Sequence, residues 1–214
     1  MAPDRSPTDD AFTDGAFTDD AVAISRIVVG PLRTNVYAVA CRATGAAVLV
    51  DAPAPAAPVL ALGRRVGADR VLVTHGHGDH IGAVADLRRA GLAVAVAAPD
   101  AHMLAGHDDL VADGDELAVG RLRLRAIATP GHTPGSTCFT VAGSPVVLAG
   151  DTLFPGGPGA TRWAYSDFGA ILDSIGRRLF AALPDETVVL PGHGAATTIG
   201  AERPHLAEWA ARGW

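Results

Sequence analysis

Short apolar runs alternate with turn-rich polar segments from residue 22 onward. The runs at 24–29, 35–41 and 46–50 are rich in β-branched residues and bounded by Gly, Pro and Thr, which predicts strands. An Ala-Pro stretch then leads to an expected helix near 58–66. The run 71–74 reads as a buried strand, and 81–90 as the helix after it, ended near Gly91. Residues 92–98 are strand-like and 99–104 open a short helix. Runs at 116–119, 122–127, 137–141 and 146–149 continue a β-rich series. Across 167–180, Ile171, Leu172, Ile175 and Leu179 are spaced to bury one face of a helix. A last strand at 188–190 ends in Pro191-Gly192-His193-Gly194. No linker-like composition divides 22–214, so this span is expected to fold as one domain.

Residues 1–21 follow a different rule. The pentads Ala-Phe-Thr-Asp-Gly at 11–15 and Ala-Phe-Thr-Asp-Asp at 16–20 repeat within a segment rich in Asp, Thr and Pro. Such a segment buries too little to offset its ordering entropy, which predicts a disordered acidic tail.

Composition narrows the function classes. The 214 residues are 49% apolar and 19% charged, ample for a sizeable core. A formal charge of −6 gives no electrostatic footprint for nucleic acid or an anionic membrane, so neither is expected as a partner. All 17 basic residues are Arg, a bias of the kind GC-rich bacterial coding produces. Cys41 and Cys138 make no disulfide framework. No apolar run approaches the roughly 18–20 residues that span a bilayer. The N-terminus lacks the basic and apolar regions of a signal peptide, so a cytoplasmic location is expected.

The chemistry concentrates in His75-Gly76-His77-Gly78-Asp79-His80, four metal-capable side chains in six residues directly after an apolar run. Imidazole and carboxylate at this density seldom serve packing, because each needs a polar partner or a cation once out of water. His132, Asp151 and His193 also follow short apolar runs, each beside glycine, which permits close backbone approach. Seven N and O donors exceed what one tetrahedral zinc needs and suit two ions sharing a bridging carboxylate. His102, His107 and His205 lack such settings and read as ordinary polar residues. Asp51 follows a strand as Asp151 does, and is open to a turn role or to orienting a donor. Cys138 reads as a small core residue. Trp163, Tyr165 and Phe168 form either a pocket wall or a core cluster.

Four motifs in order carry a resemblance: the H-x-H-x-D-H run at 75–80, the His132 turn at 129–135, Gly-Asp-Thr-Leu-Phe at 150–154 and Pro-Gly-His-Gly at 191–194. On these the chain resembles the metallo-β-lactamase superfamily, and within it the glyoxalase II-like (hydroxyacylglutathione hydrolase-like) enzymes. The resemblance implies an α/β fold, a four-layer αβ/βα sandwich of two mixed sheets flanked by helices. It implies that His75, His77 and His132 hold one divalent ion and that Asp79, His80 and His193 hold a second. Asp151 would bridge them, with Asp79 and Asp151 as the catalytic carboxylates. Zinc is the first expectation, with iron or manganese as alternatives. The implied reaction is attack of a metal-bound hydroxide on a small thioester. Glyoxalase II proper grips glutathione with basic residues that include lysine, and this chain has no lysine, so the thiol carrier stays open. Three other readings use the same residues. One is a mononuclear iron persulfide dioxygenase with His75, His132 and Asp151 as a facial triad. The others are a hydrolase of another ester or lactone and a metal-stabilised binding protein.

Overall fold

The structure, a computed structural model, describes residues 14–213. Its first sheet contains β1 (Asp14–Thr18), β2 (Val22–Val29), β3 (Thr34–Cys41), β4 (Ala47–Val50), β5 (Ala68–Leu72), β6 (Ala93–Ala97) and β7 (Asp109–Val111), in that spatial order. The first four strands are antiparallel, and β4 through β7 are parallel. The second sheet is built from β8 (Glu116–Val119), β9 (Leu122–Ala128), β10 (Thr137–Val141) and β11 (Val146–Gly150), with β14 (Val188–Pro191) and β15 (Thr197–Thr198). Its order is β15-β14-β11-β10-β9-β8, antiparallel except for the parallel β11–β14 pair. Between them in sequence, β12 (Leu153–Phe154) and β13 (Gly157–Pro158) form a small hairpin.

Three apolar clusters define four layers. Ile24, Val39, Val48 and Leu72 of the first sheet meet Leu124, Phe139, Val141 and Leu148 of the second. The opposite face of the first sheet, with Leu49, Val71 and Val94, is covered by Val59 and Leu62 of α1 (Ala56–Val66) and Leu87 of α3 (Val84–Arg89). The outer face of the second sheet, with Val147 and Val189, is covered by Ile171, Ile175 and Leu179. Trp209 of the C-terminal helix Leu206–Arg212 joins that layer. Helix cover on both outer faces explains why β4 and β11 are buried along their whole length, as strands packed on both sides must be. The four-layer α/β sandwich expected from the sequence is the fold observed. Among the described residues, no helix is long and apolar enough to cross a membrane.

The structure corrects the sequence reading at three places. The expected tail is ordered at its inner end: β1 pairs antiparallel with β2, and Phe17 packs against the inter-sheet core. The remainder of the expected tail, residues 1–13, lies outside the described residues. The helix expected at 81–90 is two short ones, α2 (Gly78–Ile81) and α3. Ala52 explains the break, because its N–H bonds the His80 carbonyl and its carbonyl takes the Ala83 N–H. Those groups are withdrawn from the helical ladder. The 167–180 helix starts as α4 (Phe168–Asp173), with Asp167 accepting the Ala170 N–H as a cap, but continues as a π-helix over Ser174–Phe180.

Candidate metal centre

Four loops at one rim of the sandwich bring all seven expected donors together. The loop after β5 runs through His75 and His77 into α2, which carries Asp79 and His80. His132 follows β9, Asp151 follows β11 and His193 follows β14. Donor atoms cluster within 4.8 Å of one another in three overlapping groups: His75–His77–His132, His75–His80–Asp151 and Asp79–His80–His193. Asp151 lies between the outer two. Its Oδ1 is 3.4 Å from His80 Nε2, and its Oδ2 is 3.6 Å from His132 Nε2 and 3.5 Å from His193 Nε2. His80 Nε2 and His193 Nε2 approach to 3.2 Å, and Asp79 Oδ2 is 3.1 Å from His193 Nε2.

The rings are fastened by their outward nitrogens. His132 Nδ1 donates to the Ala160 carbonyl at 2.7 Å and His193 Nδ1 to the Leu32 carbonyl at 3.0 Å. A carbonyl only accepts, so each Nδ1 carries a proton and Nε2 is the nitrogen left to bind a cation once the ring is neutral. His80 Nδ1 meets Asp51 Oδ2 at 2.8 Å, His75 Nδ1 meets Thr74 Oγ1 at 3.0 Å, and His77 Nε2 meets the Tyr165 hydroxyl at 2.9 Å. On the inward side, His75 Nε2, His132 Nε2 and Asp151 Oδ1 are buried without a hydrogen-bond partner. Unpartnered buried acceptors of this kind are costly. Inward lone pairs on rings locked from behind are what a cation demands, so the donor set fits a pair of divalent ions.

Electrostatics divides the set. Burial disfavours charge on every member. On His75 and His132 burial prevails and lowers the pKa, and on His77 it does so to about 4. Those three are neutral and ready to ligate. On His80 burial is outweighed by the Asp151 and Asp51 carboxylates, and the ring's pKa rises well above the usual range. On His193 burial is outweighed by bonds to Asp151 and Asp79, which push it up to about 10. For Asp151 burial is overcome by His80 and His193, so the carboxyl stays ionised. In the metal-free chain, protons on two histidines therefore balance the carboxylates where a cation would sit.

Asp51, open at the sequence level, proves to be a support: it is 2% exposed and also accepts the Thr74 N–H and hydroxyl. Other supports carried no sequence signal. Asn35 Nδ2 and Tyr37 Oη both donate to the Pro191 carbonyl, at 2.8 and 2.7 Å, and so hold the turn that carries His193. Gly192 is needed there, because a Cβ would overlap Asp151 Oδ1 and come within 2.6 Å of His80 Cε1. Trp163 packs on His77 at 4.2 Å between ring centroids and faces the cavity, whereas Phe168 joins the outer helical core. Cys138 is a buried core residue, and His205 pairs with Glu208 away from the rim. The centre opens into a cavity of about 950 Å³ walled by Leu32, Phe154, Trp163, Arg162 and Arg212.

Comparison with known proteins shows the family and the fold. A family model described as "Metallo-beta-lactamase superfamily" matches residues 29–193. A hydroxyacylglutathione hydrolase of Rhodospirillum rubrum is 41% identical over 161 residues, covering 74% of this chain. The matched region is 61% of that hydrolase, so the chain spans about three fifths of its length. Among solved structures, ETHE1 from Myxococcus xanthus superposes with a TM-score of 0.77 at 31% identity, covering 88% of this chain and 84% of that one. TTHA1623 in a di-iron-bound form superposes with a TM-score of 0.71 at 32% identity, covering 83% and 96%.

Proposed function

The chain belongs to the metallo-beta-lactamase superfamily, and from that premise we propose that it is a dinuclear metal-dependent hydrolase of small thioesters, similar to glyoxalase II. The observation that carries the reading is the convergence of seven donors in three overlapping groups, with unpartnered buried acceptors facing inward. His75, His77 and His132 would hold one ion, Asp79, His80 and His193 the other, and Asp151 both. When bound, two divalent ions supply a hydroxide nucleophile near neutral pH and polarise the acyl carbonyl. The chain's own part is to align those donors, to hold His75, His77 and His132 neutral, and to wall the approach with Leu32, Phe154 and Trp163. A thiolate leaving group needs little protonation, so no further acid is required of the cavity. Zinc is the first choice of ion, with iron or manganese as alternatives.

Similarity to ETHE1 supports a second reading, a mononuclear iron persulfide dioxygenase using His75, His132 and Asp151. Metal analysis of protein purified without added metal, joined to a thioester screen across several thiol carriers, separates the two. Two ions per chain with thioester cleavage supports the hydrolase. One iron per chain with oxygen uptake on a persulfide overturns it.

A further inference from the structure

Asp100 is not among the seven donors, yet it is completely buried, at 0% exposure. It lies in the Ala98–Met103 turn that follows β6. Its Oδ2 accepts from the Gly76 N–H at 2.8 Å and from the Thr133 hydroxyl at 2.6 Å, and its Oδ1 accepts from the Gly135 N–H at 2.8 Å. Gly76 separates His75 from His77, and Thr133 follows His132. One carboxylate thus fastens both turns that carry the three-histidine group. Packing repeats the tie. A Cβ at Gly135 would come within 2.6 Å of Asp100 Cγ, and one at Gly76 within 2.5 Å of Met103 Sδ in the same turn. Each turn closes on the 98–103 segment only because glycine stands there.

The second group is fastened by different means. His80 is held by Asp51, His193 by the Leu32 carbonyl, and the turn before His193 by Asn35 and Tyr37. The three donors to Asp100 belong to the other two turns. An anion buried among neutral donors is expensive, and packing alone would be met by an apolar side chain. What the carboxylate adds is a rigid acceptor at the meeting point of donors from two turns.

We infer that Asp100 is a positioning residue that sets the geometry of His75, His77 and His132 and leaves Asp79, His80 and His193 to other supports. This rests on the two-ion reading above. Zinc–nitrogen distances near 2.0–2.1 Å tolerate little drift between the two turns. An amide in place of the carboxylate must set its NH₂ against at least one of the three donors, since both oxygens accept here.

The test titrates metal-free full chain with zinc alone in two backgrounds. His193→Ala leaves the three-histidine group intact, and His132→Ala leaves the other. Adding Asp100→Asn is expected to weaken zinc binding about 10–100-fold in the first background and by less than about twofold in the second. Thr133→Val removes one of the three bonds while keeping the carboxylate. It should give a smaller loss with the same selectivity, and it carries the comparison if Asp100→Asn does not fold. Unchanged affinity in the His193→Ala background, or equal losses in both, overturns the inference. If neither parent background binds zinc, the two-ion reading falls before Asp100 is touched, and the inference with it.

Discussion

Replacing Asp51 with Asn reverses the direction of a hydrogen-bond chain that reaches a histidine in each group. Asp51 occupies left-handed backbone at φ 67°, which Asn tolerates about as well as Asp. Its Oδ1 accepts the Thr74 N–H at 2.8 Å. Its Oδ2 takes the Thr74 hydroxyl at 2.9 Å and His80 Nδ1 at 2.8 Å. Because the Thr74 hydroxyl proton goes to Asp51, its oxygen is free to accept from His75 Nδ1, 3.0 Å away. An acceptor-only carboxylate therefore places a proton on Nδ1 of both histidines, so that each ring in its neutral form turns a bare Nε2 to the centre. In Asp51→Asn the oxygen keeps the Thr74 N–H and the NH₂ takes the place of Oδ2. It then donates to His80 Nδ1 and to Thr74 Oγ1, whose proton turns toward His75 Nδ1. Both neutral rings become Nε2–H tautomers, with a proton where a lone pair should face the centre. Losing such a partner costs about 10–100-fold in metal affinity, or about 1.4–2.8 kcal/mol at each position. Competition against a chromophoric zinc chelator, in the His193→Ala and His132→Ala backgrounds, measures the two positions separately. Both should weaken, unlike the one-sided loss expected of Asp100→Asn. Parental affinity in either background would refute the relay.

Chelation should lower the melting temperature, because converging donors without cations carry unmet polar demand. An ion held at a hundred times its dissociation constant contributes about 2.7 kcal/mol, or about 5–10 °C for a chain of this size. An unchanged melting temperature in EDTA would count against the site. Zinc loading at pH 7 should release about two protons, from His80 and His193, which calorimetry in buffers of different ionisation heat reads directly. No release would contradict the protonated pair. His193 has a folded pKa of about 10, raised above its unfolded value. Its contribution to metal-free stability is therefore complete below about pH 6.5 and lost as pH climbs through 10. A metal-free stability profile that is flat over that window would argue against it. Gly192→Ala forces Asp151 aside, so bound metal and turnover should both fall while the far-ultraviolet circular dichroism stays native. Full metal content would show that the rim yields more easily than its packing implies. Asp151→Ala should abolish turnover and reduce metal content, and retained activity would remove the carboxylate from the reaction.

The parts of the molecule that were legible in the sequence are those encoded over short distances. His75 to His80 stand out because four donors fall in six residues behind an apolar run. His132, Asp151 and His193 show through glycine-rich turns at strand ends. The layered fold follows from apolar runs of strand length and from the spacing of Ile171, Ile175 and Leu179. Interactions between distant residues were not legible. The strand Asp14–Thr18 hid because acidic composition outweighed the one large apolar side chain, Phe17, that anchors it. The break at Gly82 is fixed by backbone bonds to Ala52, a partner that the local sequence does not show, and a lone glycine within a helical pattern does not by itself require it. Asp100 sits in an Ala-Pro-Asp turn of ordinary composition, and its donors lie 24, 33 and 35 residues away.

That contrast between local donors and distant supports bears on how metal and folding are coupled. The 75–80 run keeps four donors within reach of one ion even in an unfolded chain. His132, Asp151 and His193 join only when β9, β11 and β14 are in place. Asp51 and Asp100 can hold their rings and turns only in the packed sandwich. The unfolded chain therefore retains part of the affinity of the folded one, and binding to the unfolded state subtracts from the stabilisation that mass action supplies. The melting shift on zinc loading should fall short of the value calculated from the folded-state dissociation constants. Disrupting the local run with His77→Ala should narrow that shortfall, because it weakens binding by the unfolded chain as well. A full-sized shift in the unmodified protein would mean that the run binds metal only once its supports are assembled.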